Sequence, residues 1–111
     1  MEIKTSSEGD IQIAAISGRI DPQAAIDLKK DLAPLVGNAK KLCINLAEVS
    51  YIGSAGLREL FFAAKNLERN GGKLVCCSLQ PEVKRIFEIA GFSIPYQTFD
   101  TQDEAIAALQ G

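Results

Sequence analysis

The sequence predicts an α/β fold, a single mixed β-sheet of four to five strands packed with about four α-helices, and two observations carry that prediction. Short apolar runs with period-2 alternation read as strands, the clearest being Leu42, Ile44 and Leu46 interleaved with Cys43 and Asn45. Between such runs lie segments with apolar residues at helical spacing, the strongest being Leu57, Leu60, Phe61, Ala64 and Leu67. In chain order they alternate as β-β-α-β-α-β-α-β-α, with no internal repeat and no low-complexity linker, and a mixed sheet with helices packed on it is the natural arrangement of that order. At 111 residues and 47% hydrophobic content, one domain over 1–111 has enough apolar material for a core.

Each element has its own signal. Glu2 to Thr5 and then Ile11, Ile13 and Ala15 flank Ser6-Ser7-Glu8-Gly9-Asp10, which reads as a hairpin turn. The second apolar segment ends at Ser17-Gly18. Asp21 followed by Pro22 is a helix start, with Asp21 as cap and Pro22 at the first helical position. That helix places Ala25, Leu28, Leu32 and Leu35 on one face and stops around Pro34 to Gly37. A buried strand over Leu42 to Leu46 follows, then the helix over 54–69, which ends at Asn70-Gly71-Gly72. Lys73 to Leu79 reads as a further strand. Pro81 opens a helix with Val83, Ile86, Phe87 and Ala90 inward and Gly91 as its stop, and Ile94 to Phe99 is a short extended piece. Thr101-Gln102-Asp103-Glu104 is a capping box for a last helix that packs through Ala105, Ile106 and Leu109.

Composition excludes several kinds of chemistry. The 12 basic and 14 acidic residues are scattered and sum to −2, so no basic stripe invites nucleic acid. No apolar run approaches the roughly 20 residues of a membrane span, and the start of the chain lacks the apolar core of a signal peptide, so a cytoplasmic location is expected. Three cysteines, two of them adjacent in an apolar run, make no disulfide framework and read as small buried hydrophobes. The absence of histidine removes Ser-His-Asp triads and Cys/His zinc sites, so any catalysis must rest on Lys, Tyr or carboxylates. No catalytic set, metal site or cofactor site is expected; Gly37-Asn38-Ala39-Lys40-Lys41 lacks Walker spacing and reads as a loop.

The stretch Val49-Ser50-Tyr51-Ile52-Gly53-Ser54-Ala55-Gly56-Leu57 joins the strand over Leu42 to Leu46 to the strongest helix and puts a hydroxyl at a helix start. Helix starts carry unpaired N–H groups and the positive end of the macrodipole, so an anion on Ser54 would be stabilised there. Gly53 and Gly56 bracket Ser54 and keep backbone bulk low for an approaching partner. Two readings of Ser54 stand side by side, a plain N-cap and a functional hydroxyl. Asp21 likewise reads as an N-cap or a partner contact. Phe62 lies away from the apolar face, on a side shared with Arg58, Lys65 and Arg69; an aromatic among cations suits a protein contact, and an isolated exposed apolar residue is the alternative.

Leu46-Ala47-Glu48-Val49-Ser50-Tyr51-Ile52-Gly53-Ser54-Ala55-Gly56-Leu57-Arg58 resembles the signature of the STAS domains, in particular the bacterial anti-sigma factor antagonists. Ser17-Gly18-Arg19-Ile20-Asp21 is similar to an earlier element of the same family, Gly-x-Leu/Ile-Asp before a helix, and the element order matches over essentially the whole chain. The resemblance implies a phospho-switch. Such proteins bind an anti-sigma factor that is a serine kinase of the histidine-kinase-like ATPase fold, and a metal-dependent serine phosphatase reverses the modification. By position, Ser54 is then the phosphoacceptor, and Asp21, Gly53, Gly56, Arg58 and Phe62 are partner-binding candidates. The family often has Asp where this chain has Gly53 and a second serine where it has Ala55, so one acceptor hydroxyl is left and no carboxylate stands beside it. Two alternatives remain: a STAS interaction subunit of another signalling or lipid-transport assembly that is not phosphorylated, and a small enzyme or nucleotide-binding domain, which the missing histidine and glycine-rich fingerprint disfavour.

Overall fold

A computed structural model describes residues 1–90 and 97–111. The chain forms β1 (Glu2–Glu8), β2 (Ile11–Ile20), α1 (Pro22–Asn38), β3 (Lys41–Ile52), α2 (Ser54–Arg69), β4 (Lys73–Cys77), α3 (Pro81–Ala90), β5 (Gln97–Phe99) and α4 (Gln102–Gln110). The five strands lie in one sheet in the order β1-β2-β3-β4-β5. β1 runs antiparallel to β2, and the remaining pairs are parallel. The expected mixed sheet, its four helices and their order are all present.

The sheet's sequential order decides where the helices go. Each of α1, α2 and α3 connects neighbouring parallel strands while the chain steps in one direction across the sheet. Right-handed crossovers then put all three helices on the same face. Leu28 and Leu32 of α1, Leu57, Leu60, Ala64 and Leu67 of α2, and Val83 and Phe87 of α3 accordingly share one core with Leu42, Ile44, Leu46, Leu74 and Cys76. The opposite face needs a separate cover, which α4 supplies through Ala105, Ile106 and Leu109 against Ile11, Ile13, Cys43, Val75 and Cys77. Ala15 shares the alternation of Ile11 and Ile13 yet is exposed, because one nine-residue helix shields only part of that face.

Several boundaries differ from the sequence expectations, each for a local reason. Ser6 to Glu8 belong to β1, and the turn shrinks to Gly9-Asp10, where Gly9 takes φ 62°. β2 continues past Ser17-Gly18 to Ile20, and α1 runs through Pro34 to Asn38. β3 extends from Lys41 to Ile52, well beyond Leu46, because two register irregularities against β2 break its alternation. Between Ala15/Ser17 and Gly18/Arg19 the β3 side carries an extra residue each time, so the buried residues become Leu46, Val49 and Ile52, three apart. The backbone freed at the first bulge is satisfied by side chains: the Ala47 N–H donates to Asn45 Oδ1 at 2.9 Å, and Gln80 Nε2 donates to the Ala47 carbonyl at 2.9 Å. β4 stops at Cys77, short of Leu79, and Ala90 of α3 is exposed where an inward position was expected. The Gly91 stop and the start of the extended piece at Ile94 lie outside the described residues. The capping box of α4 is present in full, with Glu104 N–H donating to Thr101 Oγ1 and Thr101 N–H to Glu104 Oε1, both at 3.2 Å.

Candidate functional site at the shared pole of two helices

β2 and β3 end side by side, Ile20 opposite Ile52, and the Gly53 N–H donates to the Ile20 carbonyl at 3.0 Å. α1 and α2 therefore leave the sheet from adjacent points, with their positive ends at one pole. Asp21 caps α1, its Oδ1 accepting from the Ala24 N–H at 2.8 Å, and Pro22 takes the first helical position, as the sequence suggests. Asp21 is half-buried, so part of its side chain still faces the pole.

The start of α2 is built differently. Gly53 is its N-cap, with no side-chain hydrogen bond, and no acidic residue stands in its first turn. Ser54 is thus the first helical residue and not the cap, which corrects the capping reading. Among the described residues its hydroxyl has no hydrogen-bond partner, and the residue is exposed. The first-turn N–H groups and the dipole remain available to an anion on that oxygen.

Gly56 plays another part than the one expected of it. It is buried, and a Cβ there would lie 2.6 Å from Ile20 Cγ2 and 3.0 Å from Ile52 Cγ1. Its missing side chain lets α2 approach the ends of β2 and β3, so it serves packing and presents nothing to a partner. Gly53 is half-buried, and a Cβ on it would meet Tyr51 Oη at 3.1 Å.

Tyr51 and Arg19 join the pole through the sheet. They are register partners across β2 and β3, and the Arg19 guanidinium lies over the Tyr51 ring, 4.5 Å from its centroid. Each lies in one of the two stretches that carry the family resemblance, but their pairing depends on the second β3 bulge, which sequence spacing does not disclose. Arg58 is exposed one turn along α2 from Ser54. Phe62, 49% exposed, lies further along, about 12 Å from Ser54 at 1.5 Å per residue. The structure brings Asp21, Gly53 and Ser54 together, sets Arg58 beside them, and leaves Phe62 on the rim of a groove between α1 and α2.

The cysteines are buried free thiols. Cys43 and Cys77 have sulfurs 3.7 Å apart on the α4 side; that hydrogen bond and burial push the Cys43 thiol well above its usual range. Burial also pushes Cys76 up. Neither is a ready thiolate. Among the described residues no cluster of His, Cys, Asp or Glu could hold a metal ion, and no helix is long and apolar enough to cross a membrane.

Comparison with known proteins agrees with this geometry. The STAS domain family model matches residues 2–105. The anti-sigma-B factor antagonist of Bacillus subtilis is 36% identical over 85 residues, covering 77% of this chain and 77% of that protein. An anti-sigma factor antagonist from Mycobacterium paratuberculosis has a similar fold, with TM-score 0.91 at 22% identity over 99% of this chain and 94% of that one. So does the Bacillus cell fate determinant SpoIIAA in its phosphorylated form, with TM-score 0.73 at 16% identity over 96% and 98%.

Proposed function

The chain belongs to the STAS domain family, and from that premise we propose that it is an anti-sigma factor antagonist switched at Ser54. In its unmodified form it binds an anti-sigma factor that is a serine kinase of the histidine-kinase-like ATPase fold, and so frees a sigma factor. The kinase phosphorylates Ser54, the complex separates, and a metal-dependent serine phosphatase restores the binding form. The protein acts in the cytoplasm as a binding module and substrate, with no catalysis of its own. The relatives named as antagonists support this reading, and the observation that carries it is the exposed Ser54 hydroxyl, free of any capping bond.

The binding surface comprises the Ser54 end of α2 with Gly53 and Arg58, the adjoining Asp21, and Phe62 at its far margin. A phosphoserine adds about −1.5 to −2 charge. At the open start of α2 that charge favours the isolated fold, whereas in a complex it would be desolvated against the kinase's phosphate-handling groups. Incubation with ATP and the cognate kinase, followed by mass spectrometry, tests the proposal. One added phosphate on wild type and none on Ser54→Ala is the expected result; an unmodified wild type, with the kinase active on another substrate, refutes it.

Gly53 favours a second reading. With no carboxylate beside the hydroxyl, the same pole could dock in another signalling or lipid-transport assembly without being phosphorylated. Stable capture of a partner that lacks kinase activity, equally by wild type and Ser54→Ala, would select it.

A further inference from the structure

Between α1 and α2, toward the C-terminal end of α2, lies a groove of about 720 Å³. That is the size of cavities that accept a sizeable ligand. Ala33, exposed, and Val36, half-buried, contribute apolar surface from α1 over a buried floor of Leu32 and Ala63, and Phe62 of α2 stands on the wall, 49% exposed, with its ring packed edge-on to Phe61 at 6.1 Å. Lys29, Lys65 and Arg69 also line it, against one carboxylate, Glu59. Among the described residues none of these cations forms an ion pair; the Arg69 guanidinium donates only to Asn66 Oδ1 at 3.3 Å. The groove is therefore cationic on a chain whose net charge is −2. Lys65 Nζ lies over the Phe61 ring at 5.8 Å, and Arg69 stands in the last turn of α2, where a cation suits the helix dipole; neither contact neutralises the charge, so the groove complements an occupant that is both apolar and acidic.

We propose that this groove is a docking site for an acidic amphipathic helix of a protein partner, meeting the Ser54-pole surface only at Phe62 and otherwise distinct from it. A third helix laid between two packed ones buries residues at i, i+3, i+4 and i+7 and turns its flanks toward the rim. Here those flanks meet Lys29, Lys65 and Arg69, so carboxylates are selected there. Arg69 lies about 22 Å from Ser54 along α2, and Phe62 about 12 Å. Both distances exceed the screening length of roughly 8–10 Å in physiological salt. Docking is therefore indifferent to charge on Ser54, and a partner can stay tethered in the groove while the pole is switched. The site does not depend on Ser54 being a phosphoacceptor.

The probe is a synthetic peptide of about four helical turns, with Leu on one face and Glu on the flanks, compared with a Lys-for-Glu counterpart. Backbone amide shifts of the isotope-labelled full chain report where each binds. The Glu peptide is expected to shift groove residues, to lose at least about tenfold in affinity in Lys65→Glu/Arg69→Glu, and to bind Ser54→Asp as tightly as wild type. Thermal melting of each variant checks the fold, and Phe62→Ala serves as a second, charge-neutral variant that should also weaken binding. Equal binding of the Lys peptide, shifts centred on the pole, no shifts, or full affinity in both groove variants overturns the proposal. So does a concentration-dependent dimer abolished by Phe62→Ala, which would make the occupant a second copy, or co-sedimentation with phosphatidylglycerol vesicles through the same residues. Groove docking in a protein whose Ser54 the active kinase leaves unmodified rejects only the switch, and a working switch without groove docking rejects only this site.

Discussion

α1 and α2 start within one strand spacing of each other, and they start in opposite ways. At α1 a carboxylate closes the helix end: Asp21 accepts from Ala24, and Pro22 has no N–H to satisfy. At α2 the cap is a glycine with no side-chain bond, followed by a serine whose hydroxyl faces solvent. The first end is finished for stability. The second leaves N–H groups and dipole unpaired, and unsatisfied polarity at an exposed surface costs little in the free protein because water solvates it. An added phosphate finds its stabilising environment already built, and so can change what the pole binds without changing the fold beneath it.

Four experiments bear on this contrast, beginning with the one of largest effect. Phosphorylation of Ser54 should weaken partner binding by about two to three orders of magnitude, the cost of an unpaired charge buried in a complex. The melting temperature should stay level or rise slightly, since the isolated helix end gains about 0.3–1 kcal/mol. Calorimetric titration and thermal melts of the modified protein decide both parts. Undiminished binding would end the switch, and a lost fold would end its electrostatic account.

Next in size is Gly56→Ala. Its Cβ would press on Ile20 and Ile52, and overpacking typically costs about 1–3 kcal/mol, partly offset by the better helix propensity of alanine at about 1 kcal/mol. A net loss of up to about 2 kcal/mol in urea unfolding is expected. A net gain approaching the full alanine propensity of about 1 kcal/mol would mean that α2 does not rest as closely on the strand ends as Gly56 implies.

Asp21→Ala removes the α1 cap and should cost about 1 kcal/mol. Comparing its effect on stability with its effect on partner binding separates the two roles of that residue: an affinity loss beyond the stability loss marks a contact. The smallest effect is expected from Gly53→Asp, which would give α2 the kind of cap that α1 has. The gain is a few tenths of a kcal/mol by capping, reduced by the shift that Tyr51 Oη must make from 3.1 Å. A stabilisation of more than about 1 kcal/mol would mean that the open end of α2 costs the free protein more than solvation by water offsets.

Local chemistry made much of this protein legible in one dimension. Asp21-Pro22, the Thr101 to Glu104 capping box, the Asn70-Gly71-Gly72 stop and the Ser54 start all rest on residues within four positions of one another, and each is where the sequence put it. Such signals survive because a cap or a turn is satisfied by its own neighbours. Tertiary structure alone decided the rest. The two β3 bulges exist because β2 and β3 must stay paired to Ile20 and Ile52, and the loss of alternation that they cause is what hid the strand beyond Leu46. The handedness of successive crossovers collected α1, α2 and α3 on one face and left the other to α4, although the four helices look alike in apolar spacing. Gly56 read as room for a partner and proved to be room for Ile20 and Ile52. Arg19 over Tyr51, and the cations that meet across the α1–α2 groove, join residues from different elements, and a contact of that kind has no period or spacing to announce it.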